Sequence, residues 1–180
     1  FFDKITDHIF FRDRYDTSDF YARLSEMLTT SDLRSLLQHA ALEIASTLKA
    51  EQAFFVLTAG VKGNITVGTS RHQTLPSKDV EYLDSHVKKR GDDVIVAELV
   101  VTDHHLHKLL ASHKIALLLP LTRHKTIIGY LALGEHRAGN YTSRDVKVLA
   151  TISDELVIAI QNALSVQEVR DINMHLEQRI

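Results

Sequence analysis

At 180 residues, with 44% apolar and 24% charged side chains and a formal net charge of −2, the chain has the make-up of one globular domain that sustains a core without metal or disulfide staples. Its complete lack of cysteine excludes a disulfide framework, a thiolate zinc site, a cysteine nucleophile, a thiol redox switch and a thioether-linked chromophore. With 21 Lys and Arg against 23 Asp and Glu there is no basic excess to meet a phosphate backbone, so nucleic acid is not an expected partner.

The start, Phe1-Phe2-Asp3-Lys4, has neither a basic n-region nor an h-region, and no apolar run approaches the ~20 residues that cross a bilayer. A soluble piece with no direct membrane insertion is expected. The chain lacks an initiator Met and stops in mid-pattern at Gln178-Arg179-Ile180, as expected of part of a longer protein. Phe1 or Phe2, Ile5 and Ile9 stand at helical spacing ahead of the mixed segment Phe10 to Asp16, which reads as a lead-in linker helix over 1–16. Thr17-Ser18-Asp19 offers caps for a helix with Phe20, Leu24, Met27 and Leu28 on one face, ending near Thr29-Thr30. Ser31 is the expected cap of the next helix, where Leu33, Leu36, Leu37, Ala40, Ala41, Ile44, Ala45 and Leu48 form the stripe of a core-facing helix.

From Gln52 the period changes. Ala53-Phe54-Phe55-Val56-Leu57 predicts a strand with one phenyl ring to each face, a loop follows through Asn64, and Ile65-Thr66-Val67 returns as a second strand. After the irregular stretch around Leu75-Pro76, a helix opens at Ser77 or Lys78 with Val80, Leu83 and Val87 inward, stopped by Lys88-Lys89-Arg90 and Gly91. Val94-Ile95-Val96 predicts a third strand, and Asp103 to His113 a short helix with Leu106, Leu109 and Leu110 inward. Ile115 to Leu121 and Ile127 to Leu133, separated by the polar turn Arg123-His124-Lys125-Thr126, pair as a central antiparallel hairpin.

Thr142-Ser143-Arg144-Asp145 has the form of a capping box and opens a helix with no Gly or Pro before Ile180, about 38 residues and far beyond the ~11–12 of an average helix. Its far half must leave the domain. Leu149, Ile152, Leu156, Ala159, Ala163 and Val166 follow 3-4 spacing, and Val169, Ile172, Leu176 and Ile180 resume it after a phase break, which predicts an extended coiled-coil seam. The order of elements is that of an α+β domain with helices before and after an antiparallel sheet. The expected division is a linker helix over 1–16, the domain over 17–162 and a coiled-coil helix over 163–180.

Eleven histidines make metal worth weighing, since Asp103-His104-His105-Leu106-His107 puts Asp103 and His107 at i, i+4 and His104 and His107 at i, i+3. A working site needs three or four converging ligands, and only His113 is near. Solvated side chains at a helix start, with Asp103 serving the first amides, is the better reading, so no metal and no cofactor is expected. No G-x-S-x-G elbow occurs, and no catalytic triad is argued.

The segment Ser31 to Asn162 resembles a GAF domain, the small sensory module related to PAS domains. Ile115-Ala116-Leu117-Leu118-Leu119-Pro120-Leu121 followed by Ile127-Ile128-Gly129-Tyr130-Leu131-Ala132-Leu133-Gly134 is similar to that family's "PL…G-x-L-x-L" hairpin. Tyr141-Thr142-Ser143-Arg144-Asp145 through Leu149 resembles its opening of the last helix, and Leu36-Leu37-Gln38 through Ala50-Glu51-Gln52-Ala53 its first helix and strand. Phe1 to Asp16 is similar to the linkers before GAF domains in membrane-anchored bacterial sensor histidine kinases.

The resemblance implies a GAF/PAS-like central antiparallel sheet flanked by helices, with a long C-terminal signalling helix. It also places Arg71, His72, Tyr82, Glu98 and Asp103 in the segments that cover the sheet, as candidate ligand-binding residues. The chromophore cysteine and Asp-Ile-Pro turn of phytochrome-like members are absent, as are the cysteines of methionine-sulfoxide-reducing members and the Asn-Lys-x-Asp-type motif of cyclic-nucleotide-binding ones. The resemblance therefore implies a non-catalytic sensory module of a cytoplasmic signalling protein, with any kinase chemistry outside these residues. Such a module is expected to bind a small ligand or a neighbouring domain and to work as a homodimer through its last helix. The alternatives are a degenerate domain serving only as a dimerising spacer and, behind it, a cyclic-nucleotide-binding regulatory domain.

Overall fold

All five residues of Ala53-Phe54-Phe55-Val56-Leu57 are buried, because the strand they form is covered on both faces. The computed structural model, which describes residues 15–30, 32–59, 63–70, 74–91 and 93–178, builds this strand, β1 (Ala53–Leu57), into a five-stranded sheet with β2 (Ile65–Gly68), β3 (Ile95–Val96), β4 (Leu117–Arg123) and β5 (Thr126–Leu133). The order is β2-β1-β5-β4-β3, with every neighbouring pair antiparallel. Helices α1 (Thr17–Met27), α2 (Leu33–Thr47) and α5 (Ser143–Gln178) pack on one face. Helices α3 (Ser77–Arg90) and α4 (His104–Ser112) pack on the other. The α+β sheet-and-helix architecture expected from the sequence is what forms.

Period-2 alternation divides the strands between two cores. Ala53, Phe55, Leu57, Leu117, Leu119, Leu121, Leu131 and Leu133 face the three-helix side. Phe54, Val56, Leu118, Tyr130 and Ala132 face α3 and α4, so the two adjacent rings do point opposite ways. At Gly129 an added Cβ would lie 2.2 Å from the Val56 carbonyl oxygen, so only glycine lets β5 run this close to β1. The β4–β5 connection is tighter than the four-residue turn read from the sequence. Arg123 and Thr126 are already paired, and the loop is His124-Lys125 alone, at φ of 50° and 64°. Two left-handed residues make a primed hairpin turn, whose twist matches the strands at the cost of straining two side chains that are not glycine.

Two helix caps differ from expectation by one residue. Asp16, not Thr17-Ser18-Asp19, caps α1, accepting from the N–H groups of Ser18 at 2.9 Å and Asp19 at 3.2 Å. Asp32 caps α2, accepting from Ser35 N–H at 3.0 Å. In each case a carboxylate meets both the orphan amides and the positive end of the helix dipole, which a neutral hydroxyl does less well. The Ser31 cap and nearly all of the expected lead-in helix lie outside the described residues. The capping box of α5 forms as read: Thr142 N–H donates to Asp145 Oδ2 at 2.8 Å, and Asp145 N–H to Thr142 Oγ1 at 3.3 Å.

Helix α5 runs 36 residues, and its character changes along its length. Val148, Leu149, Ile152, Leu156, Ile160 and Ala163 are buried in the three-helix core, whereas every described residue from Glu168 onward is exposed. The phase break before Val169 is therefore a change of face and not an irregularity within one seam. Counting ~100° per residue, the line of Val169, Ile172 and Leu176 lies about 150° round the helix from the buried stripe. The first stripe is used up in covering the sheet. Among the described residues α5 alone has the length and composition of a membrane span, and 44% of its most apolar window is buried inside the domain.

Candidate functional site

Helix α4 begins where it does because Asp103 caps it, accepting from Leu106 N–H at 2.9 Å. The same carboxylate takes the Tyr82 hydroxyl from α3, with Oη 2.7 and 2.8 Å from its two oxygens, and lies 3.4 Å from His86 Nδ1. Tyr82 and His86 are i, i+4 on α3 and so reach one partner. The Tyr82 ring also lies 4.2 Å, centroid to centroid, from that of His105. The Leu106 amide first, and then the Tyr82 hydroxyl, hold the Asp103 carboxyl below its ordinary range. Burial, followed by the hydrogen bond to Asp103, pushes the Tyr82 hydroxyl up.

Two further polar links tie this side of the molecule together. His113 Nε2, at the end of α4, meets Asp79 Oδ2 of α3 at 2.8 Å. The fully buried Tyr130 of β5 donates its hydroxyl to Asp84 Oδ1 of α3 at 2.5 Å. Burial, then Asp84, drives the Tyr130 hydroxyl far above the usual tyrosine value. Helix α3 is thus fastened to α4 and to the sheet by carboxylates at 79, 84 and 103, beneath which Leu83, Leu106, Leu110, Phe54 and Val56 pack with 0–1% exposure.

Of the five residues expected to recognise a ligand, Tyr82 and Asp103 are brought into contact. They border a hollow of about 210 Å³ with Ser85, His86, Lys89 and Arg90, smaller than the ~300–1,000 Å³ of a typical ligand site. Glu98 is elsewhere. It sits exposed on the short turn after β3, beside a separate cavity of about 430 Å³ that His107, Lys114 and His136 also line. Arg71 and His72 lie outside the described residues. Among the described residues no three His, Asp or Glu side chains converge on a point where a metal would sit, and His104 and His107 are exposed while Asp103 serves as a cap.

A second constellation, at the base of α5, was not legible in the sequence. Asp145, at 6% exposure the one buried charged residue among those described, accepts from the Tyr15 hydroxyl at 2.9 Å as well as from Thr142 N–H. Arg144 donates Nη2 to the Tyr15 carbonyl at 2.9 Å and to Thr17 Oγ1 at 2.7 Å, and its guanidinium stands 5.0 Å from the centre of the Tyr15 ring. Burial and the Asp145 charge raise the Tyr15 hydroxyl well above its usual value. Ser25 of α1 reaches Glu155 of α5 at 3.2 Å. The chain's approach to α1 is therefore clamped to the first turn of its longest helix. The partners are 127 to 130 residues apart, and no local pattern announces such a pairing.

The family model described as GAF domain matches residues 32–160. Among solved structures, the phycoerythrobilin-bound GAF domain from a cyanobacterial phytochrome superposes with a TM-score of 0.60 at 11% identity, covering 83% of this chain and 96% of that one. The GAF domain of a phosphoenolpyruvate-protein phosphotransferase from Coxiella burnetii gives 0.59 at 16% identity, over 84% and 96%. Residues 122 to 287 of a methyl-accepting chemotaxis protein give 0.59 at 15% identity, over 79% of this chain and 97% of that fragment. At these low identities the superpositions show a shared fold and nothing further. No curated protein matches the sequence.

Proposed function

The chain belongs to the GAF domain family, and on that premise we propose that it is a non-catalytic sensory and regulatory module that passes a signal along α5 as a homodimer. The observation that supports this most is the division of α5: one unbroken helix is half domain core and half bare, apolar-faced rod. A continuous helix that starts inside a core carries a rearrangement of that core outward, because packed cores switch between discrete arrangements and do not deform continuously. In this reading the parent is a signal-transduction protein, a histidine kinase by the similarity of its linker, working in the cytoplasm with its effector outside these residues.

The input side is the α3–α4 cover. Tyr82, Asp103 and, by family resemblance, Arg71, His72 and Glu98 are the candidate recognition residues for a small ligand, or for a neighbouring domain that presses on the same cover. Polar fastenings are suited to this, since a competing ligand group can replace a hydroxyl–carboxylate bond at small net cost. The absence of cysteine excludes a thioether-held pigment. A second reading, a dimerising spacer with no ligand, is favoured by the packing: Phe54, Val56, Leu83, Leu106, Leu110 and Tyr130 already fill the space between sheet and cover.

Native mass spectrometry of freshly purified protein separates the two. A stoichiometric adduct that disappears in Asp103→Ala supports the sensory reading. A bare dimer from every preparation supports the spacer.

A further inference from the structure

The exposed side of α5 holds more than the three apolar residues that first show the change of face. Ile158, at 52% exposure, lies on the same line, eleven residues before Val169. Between them Asn162 and Ser165, both exposed, complete the spacing: 158, 162, 165, 169, 172, 176. Successive steps of 4, 3, 4, 3 and 4 are an unbroken heptad seam, and at ~100° per residue all six positions fall within about 40° of one line. With Ile158 at d, Asn162, Val169 and Leu176 are a positions, and Ser165 and Ile172 are d positions. The seam starts beside the domain, where the Arg123 guanidinium at the tip of the β4–β5 hairpin bonds Gln161.

The layers run apolar, polar, polar, apolar, apolar, apolar. This order decides how a second copy of the helix can lie on it. Two chains side by side in parallel and in register match like with like: Asn162 faces Asn162 and Ser165 faces Ser165, with the apolar layers closing above and below. Two antiparallel chains overlapping along the whole seam set Asn162 opposite Ile172 and Ser165 opposite Val169, which buries amide and hydroxyl against hydrocarbon. Sliding the antiparallel pair until Asn162 meets Ser165 sets Ile172 against Glu155, which Ser25 already holds, and Leu176 against Thr151, so two apolar layers then meet polar side chains. A polar a-layer is the feature by which coiled coils fix register and direction at some cost in stability.

We infer that α5 docks a second copy of this chain through Ile158, Asn162, Ser165, Val169, Ile172 and Leu176, in parallel and in register, with Asn162 and Ser165 specifying that arrangement. The inference rests on the dimeric reading of α5 and deepens it: both helices leave their domains in the same direction, so both outputs reach the same place. It also puts the weak layers of the seam next to the domain, where a change in the core is felt first.

The chain's lack of cysteine makes the test clean. Leu176→Cys is introduced into the full 180-residue chain, with Met174→Cys, exposed on the opposite side of the helix, as control, and both are oxidised under mild conditions. The parallel register brings the two 176 positions within the ~4.4–6.8 Å between Cα atoms that a disulfide spans, so Leu176→Cys links covalently and Met174→Cys does not. Asn162→Val then tightens the dimer about tenfold and loses the single direction, seen as reduced 176-to-176 linkage. Sedimentation of the unmodified chain tells the failures apart. A monomer overturns the dimeric reading and this inference with it. A dimer that links through 174 as readily as through 176, or not through 176, leaves the dimer standing and overturns the parallel register. A dimer whose linkage pattern is untouched by Asn162→Val overturns the role given to the polar layers.

Discussion

The two faces of the sheet are covered in different ways. On one, α1, α2 and the first half of α5 close over an apolar core running from Phe20 to Ala163. On the other, α3 and α4 cover a smaller core and are held by Tyr82–Asp103, His113–Asp79 and Tyr130–Asp84 contacts. An apolar core is non-directional and loses free energy with any loss of area, so it resists rearrangement. Of the three polar contacts, Tyr82–Asp103 and His113–Asp79 lie at a partly exposed edge and exchange with water or ligand at about 0.5–1.5 kcal/mol each, while the Tyr130–Asp84 bond is anchored from a buried ring. The difference separates a stiff face, which holds α5, from an adjustable face, which on the proposed reading receives the input.

Adjacent residues of β1 test this contrast at the largest scale. Phe55→Ala opens the three-helix core, and chemical denaturation should show a loss of about 3–5 kcal/mol. Phe54→Ala, equally buried but under the α3–α4 cover, should fall about 1 kcal/mol short of that value because the cover settles into the space. Equal losses would remove the mechanical distinction between the faces.

A smaller effect sharpens the picture on the stiff side. Tyr15→Phe deletes the hydroxyl that Asp145 accepts and leaves a buried carboxylate short of one donor. The expected loss is about 1.5–3 kcal/mol, together with faster amide exchange in the first turns of α5. A stability loss without faster exchange there would mean that the clamp does not reach the helix.

The smallest effect is on the adjustable side. Asp103→Ala removes the α4 cap and the Tyr82 partner, for about 0.5–2 kcal/mol. The folded Asp103 titrates below the ordinary 3.8, so its contribution is complete above that value and fades as pH falls through the folded one. Wild type and variant should therefore differ in denaturation midpoint near neutral pH and converge in strong acid, below the folded value. A gap that persists in acid would place the effect in packing and not in the carboxylate.

The sheet, its hairpin and the order of elements were legible because apolar periodicity is a local signal: Leu33 to Leu48 at helical spacing, Ala53 to Leu57 as a two-faced strand, and Leu117 to Leu133 as a paired run. The α5 capping box was legible for the same reason, since Thr142 and Asp145 are three residues apart. The Tyr15–Asp145 and Tyr130–Asp84 bonds were not, because they join side chains 130 and 46 residues apart whose meeting depends on the finished fold. At the α3–α4 edge the sequence singled out Tyr82 and Asp103 but not His86, although its i, i+4 spacing from Tyr82 was there to be read. The phase break in α5 was visible and its angle could be counted from the spacing, yet only burial shows that the first stripe is covered by the domain and the second is bare.

If the bare half of α5 joins two copies while the buried half belongs to the domain, charge placed on the bare half must separate the copies and spare the fold. Sedimentation of the whole chain beside the double variant Val169→Asp with Ile172→Asp measures this, because both residues are more than half exposed and neither supports the core. The expected result is a wild-type dimer and a monomeric variant that still unfolds cooperatively. A variant that dimerises as tightly as wild type would show that the copies meet elsewhere, or not through this helix at all.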